Sequence, residues 1–147
     1  TAGDTGTVVL DSFGAISGGA AILIDGGTVR GNNNLNLTLI LLNASSVNIA
    51  AGTTLDVYGS QAAANGLSGA GTVTTSLAGV PATLIVNHWF AAPAPTTFSG
   101  IIRDGASPLS LVVDTHDLIL TGANAYSGTT SIRNAGTLEI GNGGTGG

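Results

Sequence analysis

The sequence predicts an all-β protein built as a solenoid, in which short strands stack on one another. Short apolar runs recur along the whole 147-residue chain, with Gly, Asn, Asp or Ser at the joints. The phrase Thr-Leu-x-(Val/Ile) appears three times, at residues 54–57, 83–86 and 137–140. Aromatic residues make up only 4% of the chain. A core of Val, Ile, Leu and Ala suits narrow stacked sheets better than a bulky globular interior.

Composition narrows the class of protein further. The chain is 43% hydrophobic and 7% charged, which argues against disorder despite its 24 glycines. The net charge is −5, and the only basic side chains besides His are three isolated arginines, so we expect neither a nucleic-acid partner nor direct binding to an anionic membrane. No apolar window reaches the roughly 18 residues of a membrane-spanning helix. We expect a single domain over residues 1–147.

The chain contains no cysteine, which fits two opposite settings. One is a reducing compartment, and the other is a secreted protein that is stable without disulfides. The sequence begins at Thr1 without a visible signal peptide. We therefore expect it to be a piece of a longer protein.

The predicted strands are short and end at turn-forming residues. Up to residue 113 they cover 7–11, 22–25, 28–30, 35–42, 46–49, 54–57, 71–74, 82–86, 100–102 and 109–113. The last stretch holds two more apolar-alternating runs, Leu118–Leu120 and Thr137–Ile140, joined by a Gly/Asn-rich connection. In the second run Leu138 and Ile140 share one face and Glu139 lies on the other, which is the period of a half-buried strand.

This last stretch carries a specific pattern. It reads L-x-L-T-G-A-N-x-Y-S-G-T-T over residues 118–130 and I-x-N-A-G-T-L-x-I-G-N-G-G over residues 132–144. It closely resembles the passenger-associated repeat of bacterial autotransporters, which we place at residues 117–144. A looser likeness to autotransporter passengers extends back to about Val47. The segment Ser131–Arg133 is one residue longer than the usual form, which predicts a small bulge and leaves the inward position of Ile132 open.

The resemblance implies a fold and a function. Passengers of this family are right-handed parallel β-helices, and at roughly 20 residues a turn this chain would make about seven coils. The resemblance further implies a non-catalytic, rigid cell-surface scaffold or adhesin stalk that supports passenger secretion and folding. The location would be the surface or outer membrane of a Gram-negative bacterium, or the medium. A membrane contact would come only through a C-terminal barrel outside this sequence. The runner-up fold is an antiparallel β-sandwich, whose evenly spaced two-residue hairpins the sequence lacks.

One unusual patch is a candidate for ligand binding. His88, Trp89 and Phe90 follow a predicted strand and precede a Pro-rich stretch. An exposed aromatic pair on a loop could anchor a host-surface protein or a glycan. The competing interpretation is that the two aromatic side chains cover apolar surface on the side of the solenoid.

A different class of function is a glycan-acting β-helix enzyme, either a lyase or a hydrolase. Glycoside hydrolysis needs two carboxylates at a defined separation. Only the segment Asp114-Thr115-His116-Asp117 brings two carboxylates together with a histidine, which could also form a weak metal site. The competing interpretation is a solvated turn between Val113 and Leu118, and on that basis we predict no catalytic residue, no metal and no cofactor.

Both ends of a solenoid are open edges of its sheets. An open edge can pair with a strand of another chain. Neither end of the sequence carries a charged or Pro-rich cap. We therefore predict self-association through the open ends.

Overall fold

The computed structural model describes residues 5–10, 21–31, 44–59, 61–87 and 95–141. These residues form strands β1 to β15, and every strand pairing among them is parallel. The all-β parallel solenoid is therefore confirmed, and the antiparallel sandwich is wrong for the described residues. The strand predicted over residues 35–42 lies outside them. The described part of the chain includes no helix that is long and apolar enough to cross a membrane.

The strands form three sheets, which we name A, B and C. Sheet A has the order β1 (Thr7–Leu10), β3 (Thr28–Gly31), β5 (Thr54–Asp56), β8 (Thr72–Thr74) and β11 (Ile101–Ile102). Sheet B has the order β2 (Ala21–Ile24), β4 (Ser46–Ile49), β7 (Leu67–Gly69), β10 (Thr96–Phe98), β13 (Asp117–Leu120) and β15 (Thr137–Ile140). Sheet C has the order β6 (Gln61–Asn65), β9 (Ala82–Asn87), β12 (Leu109–Asp114) and β14 (Thr130–Arg133).

From β4 to β13 the chain visits the sheets in the cycle B, A, C and back to B, and the described residues make about five turns. The prediction of about seven turns is wrong because many turns are longer than the length of roughly 20 residues that it assumed. The step from Val47 to its register partner Leu67 is close to that length, but the step from Gly69 to Phe98 is longer by nearly half. Extra residues between consecutive strands account for the difference. The right-handed sense of the coil stays a prediction.

The core consists of columns of aliphatic side chains that run along the stack. In sheet A, register aligns Leu55, Val73 and Ile102, all fully buried. In sheet C, Val86 and Val113 are aligned in the same way. Parallel in-register strands place like positions on the same face, so the inward side chains of each turn stack on those of its neighbours and, with those of the other two sheets, form one core. Each buried Å² of apolar surface contributes about 25 cal/mol.

Glycines allow the turns to approach closely at the corner between sheets B and A. A Cβ on Gly122 would overlap the carbonyl oxygen of Gly100, and a Cβ on Gly100 would overlap the carbonyl oxygen of Gly71. The three glycines therefore form a column in which the backbone of one turn rests on the backbone of the one before. A side chain at any of these positions would push two turns apart.

The predicted bulge at Ser131–Arg133 is absent. Strand β14 runs in unbroken register with β12, from Leu111 opposite Thr130 to Asp114 opposite Arg133. Ile132 lies opposite the buried Val113 and so belongs to the inward column. It is nevertheless 53% exposed, because no further strand among the described residues stacks on β14.

Candidate functional site

The Thr121–Ser127 part of the repeat pattern forms the corner after β13, and Asn124 organises it. Its Oδ1 accepts a hydrogen bond from the Ile102 N–H at 2.9 Å, and its Nδ2 donates to the Gly122 carbonyl at 3.0 Å. The Ala125 N–H donates to the Ile102 carbonyl at 2.9 Å. In this turn sheet A is reduced to the single bridge between Arg103 and Ala125. The Oδ1 of Asn124 therefore accepts the hydrogen bond from the Ile102 N–H of β11 that a carbonyl of a neighbouring strand would otherwise accept.

A second joint holds the same two turns together through Asp104. Its Oδ1 accepts from the Leu109 N–H at 2.8 Å, and its two carboxylate oxygens accept from the Ser127 N–H at 3.0 and 3.1 Å. The Ser127 side chain, then the backbone N–H groups of Leu109 and Ser127, lower the pKa of Asp104 below its ordinary value. The ionised carboxylate thus fixes its own corner and the serine of the repeat one turn further on.

The joint at Asp104 predicts a dependence of stability on pH. A carboxyl whose pKa is lower in the folded than in the unfolded state contributes stability that is fully present above the unfolded pKa, about 4. That contribution is lost as the pH falls through the lower, folded pKa. We expect Asp104→Asn to lower the free energy of unfolding at neutral pH and to reduce its loss below about pH 4.

Urea unfolding of both proteins at a series of pH values measures this effect. Asp25→Asn is the matched control, because no side-chain hydrogen bond found among the described residues involves the Asp25 carboxylate. If the free energy of unfolding changes with pH by the same amount in Asp104→Asn and in the unmodified chain, the stabilising role assigned to the Asp104 carboxylate is contradicted.

The carboxylates of the candidate catalytic segment contact the following turn. Asp114 Oδ1 accepts from Asn134 Nδ2 at 2.7 Å, and Asp117 Oδ1 accepts from Thr137 Oγ1 at 2.6 Å. Both carboxylates are thus engaged by the following turn of the solenoid. In the ranges that the structure covers, no group of three or more His, Cys, Asp or Glu side chains is placed to hold a metal ion.

His116 lies between Asp114 and Asp117 in sequence, but its side chain contacts the preceding turn rather than the following one. It is 1% exposed, and a 2.7 Å hydrogen bond joins its Nε2 to Thr96 Oγ1 of the preceding turn. The predicted turn is present at Thr115, which is exposed and has a φ of 55°. The prediction that the whole segment is solvated is wrong for His116, because the imidazole fills a position between two turns. All three side chains therefore serve contacts between turns.

The last described turn ends in an open depression of about 550 Å³. Leu120, Tyr126, Thr130 and Ile140 contribute to its lining. Tyr126 packs against the core, and its hydroxyl lies 2.8 Å from Thr130 Oγ1. Ile140, in the inward column of sheet B above Leu120, is 70% exposed. The depression is the uncovered end of the apolar columns.

The predicted ligand-binding residues His88, Trp89 and Phe90 lie outside the described residues, and their role stays a prediction. The outward face of sheet C, which includes the strand that precedes them in sequence, is described in part. Ala63, Ile85 and Val112 form an outward column there by register. Ala63 and Val112 are nonetheless buried, so this part of the outer face is already covered.

Comparison with known proteins identifies the repeat. Residues 117–140 match the family model described as the passenger-associated-transport-repeat, close to the predicted bounds of 117–144. Neither the curated proteins nor the solved structures gave a match. Autotransporter passengers are located at the outer membrane or surface of bacteria, or are secreted. The described residues therefore form a parallel β-solenoid in which residues 117–140 are a passenger-associated transport repeat, a repeat of autotransporter passengers.

Proposed function

We propose that this segment is a non-catalytic scaffold of the passenger, and that its repeat supports secretion and folding as a stable end on which other turns stack. The proposal rests on one observation: the polar side chains of the repeat point toward neighbouring turns of the solenoid. Asn124 reaches back to the preceding turn, and Asp117 is held by the following one. These side chains join turns and do not converge on a common point.

The need for such joints follows from the geometry of a solenoid. A single turn cannot bury its apolar face alone, so each turn gains stability only from its neighbours. The repeat turn has a weakened sheet A, with one bridge in place of a strand. The bonds of Asn124 and Asp104 compensate for that weakness.

The length of the turns also favours early folding of this end. Strand partners in the repeat are close in sequence, since Leu111 pairs with Thr130 and Leu118 pairs with Leu138. The step between β9 and β12, from Leu84 to its partner Leu111, is longer. A shorter loop costs less entropy to close. The repeat can therefore pair its strands at lower cost than the turn before it.

We expect Asn124→Ala to lower the free energy of unfolding by about 1–3 kcal/mol, because it leaves the N–H of the buried Ile102 without an acceptor. Asn124→Asp keeps an oxygen at that position and should cost less. Urea unfolding followed by circular dichroism measures both.

The matched control is Asn48→Ala, which removes a bond between two half-exposed side chains, Asn48 Nδ2 to Ser68 Oγ at 2.9 Å. It should change stability by about 0.5 kcal/mol or less. If Asn124→Ala and Asn48→Ala lower the free energy of unfolding equally, the role that we assign to Asn124 is contradicted. In the longer protein, surface display of the passenger should fall with Asn124→Ala and be maintained with Asn48→Ala.

We also propose that the open end of the last turn pairs with a second copy of the chain. Strands β14 and β15 are the outermost described strands of their sheets, and Ile132 and Ile140 are exposed there. Edge strands with exposed apolar residues pair readily with other chains.

Sedimentation velocity over a range of concentrations tests this pairing. We expect association of the unmodified chain to weaken strongly in Ile140→Lys, which places a charge in the uncovered column. Glu139→Lys, on the other face of the same strand, is the control and should leave the association in place. A monomeric chain at every concentration would contradict the proposal.

A further inference from the structure

Asn65 and Gly66 form a pair of residues that is chemically labile in a flexible chain. The backbone nitrogen of the residue after an asparagine can attack the side-chain amide carbon. Glycine makes this attack easiest, because it has no side chain to shield its nitrogen and restricts the backbone least. The sequence contains this pair twice, at residues 65–66 and 142–143.

The fold holds the first pair in an arrangement that opposes the reaction. Asn65 ends strand β6 and is fully buried. Its Nδ2 donates hydrogen bonds to the carbonyl oxygens of Ala44 at 3.0 Å and Ser45 at 3.3 Å. The Gly66 N–H donates to the carbonyl oxygen of Asn87 at 3.0 Å. The attacking nitrogen and the amide under attack are therefore each bound to a different neighbouring turn.

We propose that Asn65–Gly66 is a site of spontaneous deamidation that is closed in the folded chain and open in the unfolded chain. In the unfolded chain the Gly66 nitrogen loses its proton and forms a bond to Asn65 Cγ. The bond from Cγ to the side-chain nitrogen breaks, and ammonia leaves. Water then opens the resulting five-membered imide at either carbonyl, which gives aspartate or isoaspartate at position 65.

Either product is incompatible with the native environment. Aspartate would place a carboxylate against the Ala44 and Ser45 carbonyl oxygens, where the fold needs a donor, and would bury a charge. Isoaspartate lengthens the backbone by one carbon and breaks the register between Asn65 and Asn87. The modification is irreversible without repair, so it limits the time that the chain can spend unfolded and still reach the native solenoid.

The test compares the folded chain in buffer with the chain held unfolded in urea, both at mildly alkaline pH. Cleavage after arginine separates Asn65, in the peptide of residues 31–103, from Asn142, in the peptide of residues 134–147. Mass spectrometry with fragmentation then locates the conversion of an amide to a carboxyl. We expect Asn65 to convert about as fast as Asn142 in urea, and at least about a hundredfold more slowly in the folded chain.

Two outcomes would overturn the proposal. One is conversion of Asn65 at equal rates in the folded and the unfolded chain. The other is an Asn65 that resists conversion in urea while Asn142 reacts. The variant Asn65→Asp tests the consequence separately, with Asn142→Asp as its control. We expect Asn65→Asp to refold with a lowered unfolding midpoint or not to refold. A midpoint equal to that of the control would contradict the claimed effect on the fold.

Discussion

Replacing Phe98 with alanine should lower the free energy of unfolding by about 3–5 kcal/mol, the largest loss that we expect from a single truncation in this chain. Among the described residues, Phe98 is the largest fully buried side chain. Its register partners are Gly69 in the preceding turn and Leu120 in the repeat. The ring lies against the glycine column, with its Cζ 2.6 Å from the position that a Cβ on Gly100 would take, so its removal would create a cavity beneath the repeat turn that flanking residues cannot fill.

Ile101→Ala is the matched control for this prediction. Ile101 is close in sequence but points outward, and its side chain is 41% exposed, so its truncation should cost no more than about 1 kcal/mol. Urea unfolding monitored by far-ultraviolet circular dichroism measures both variants. A loss for Phe98→Ala as small as that for Ile101→Ala would show that the column of sheet B does not pass through Phe98.

The second large effect is expected when a side chain is added to a glycine of the glycine column. Gly100→Ala should cost about 2–3 kcal/mol, because the added methyl would overlap the Gly71 carbonyl oxygen and would also lie 2.6 Å from Phe98 Cζ. Backbone atoms cannot move aside as a flexible side chain can. The two turns would have to separate, which weakens the pairing of neighbouring strands in sheets A and B.

Gly59→Ala is the control for Gly100→Ala. A Cβ on Gly59 would lie 3.7 Å from its nearest neighbour, the Val57 carbonyl oxygen, which is ordinary van der Waals contact. We expect this variant to be nearly neutral. A comparison of thermal and urea unfolding for the two variants checks the claim that backbones touch at the glycine column. Equal stability of the two variants would contradict it.

The sequence predicted the strands best where apolar residues alternate. Strand β4 has the predicted bounds, Ser46–Ile49, and the two strands of the repeat pattern are present as β13 and β15. Strand β6 was not predicted, because Gln-Ala-Ala-Ala-Asn shows no alternation. All three alanines of β6 are buried, on both faces of sheet C. Burial on both faces depends on neighbouring parts of the chain, which a local pattern does not contain.

The contacts of the site were harder to predict than its location. The repeat pattern includes Asn124, but nothing near it in the sequence identifies Ile102 as its partner, because that contact joins residues 22 positions apart. The same limit applies to His116. Its burial depends on Thr96 in the turn before, 20 residues away, so the local pattern indicated a solvated turn. Register between turns determines both contacts, and the length of each corner loop determines the register.

The central claim is that the repeat end of the solenoid folds first and supports the remaining turns. Pulse-labelling hydrogen exchange during refolding tests it most directly, because it shows the order in which backbone amides become protected. The account predicts that the Thr137 and Gly141 amides, which donate across the short step from β15 to β13, gain protection before the Ile101 and Arg103 amides, which donate across the longer step from β11 to β8. Protection of the Ile101 and Arg103 amides first, or of all four amides together, would contradict a leading role for the repeat.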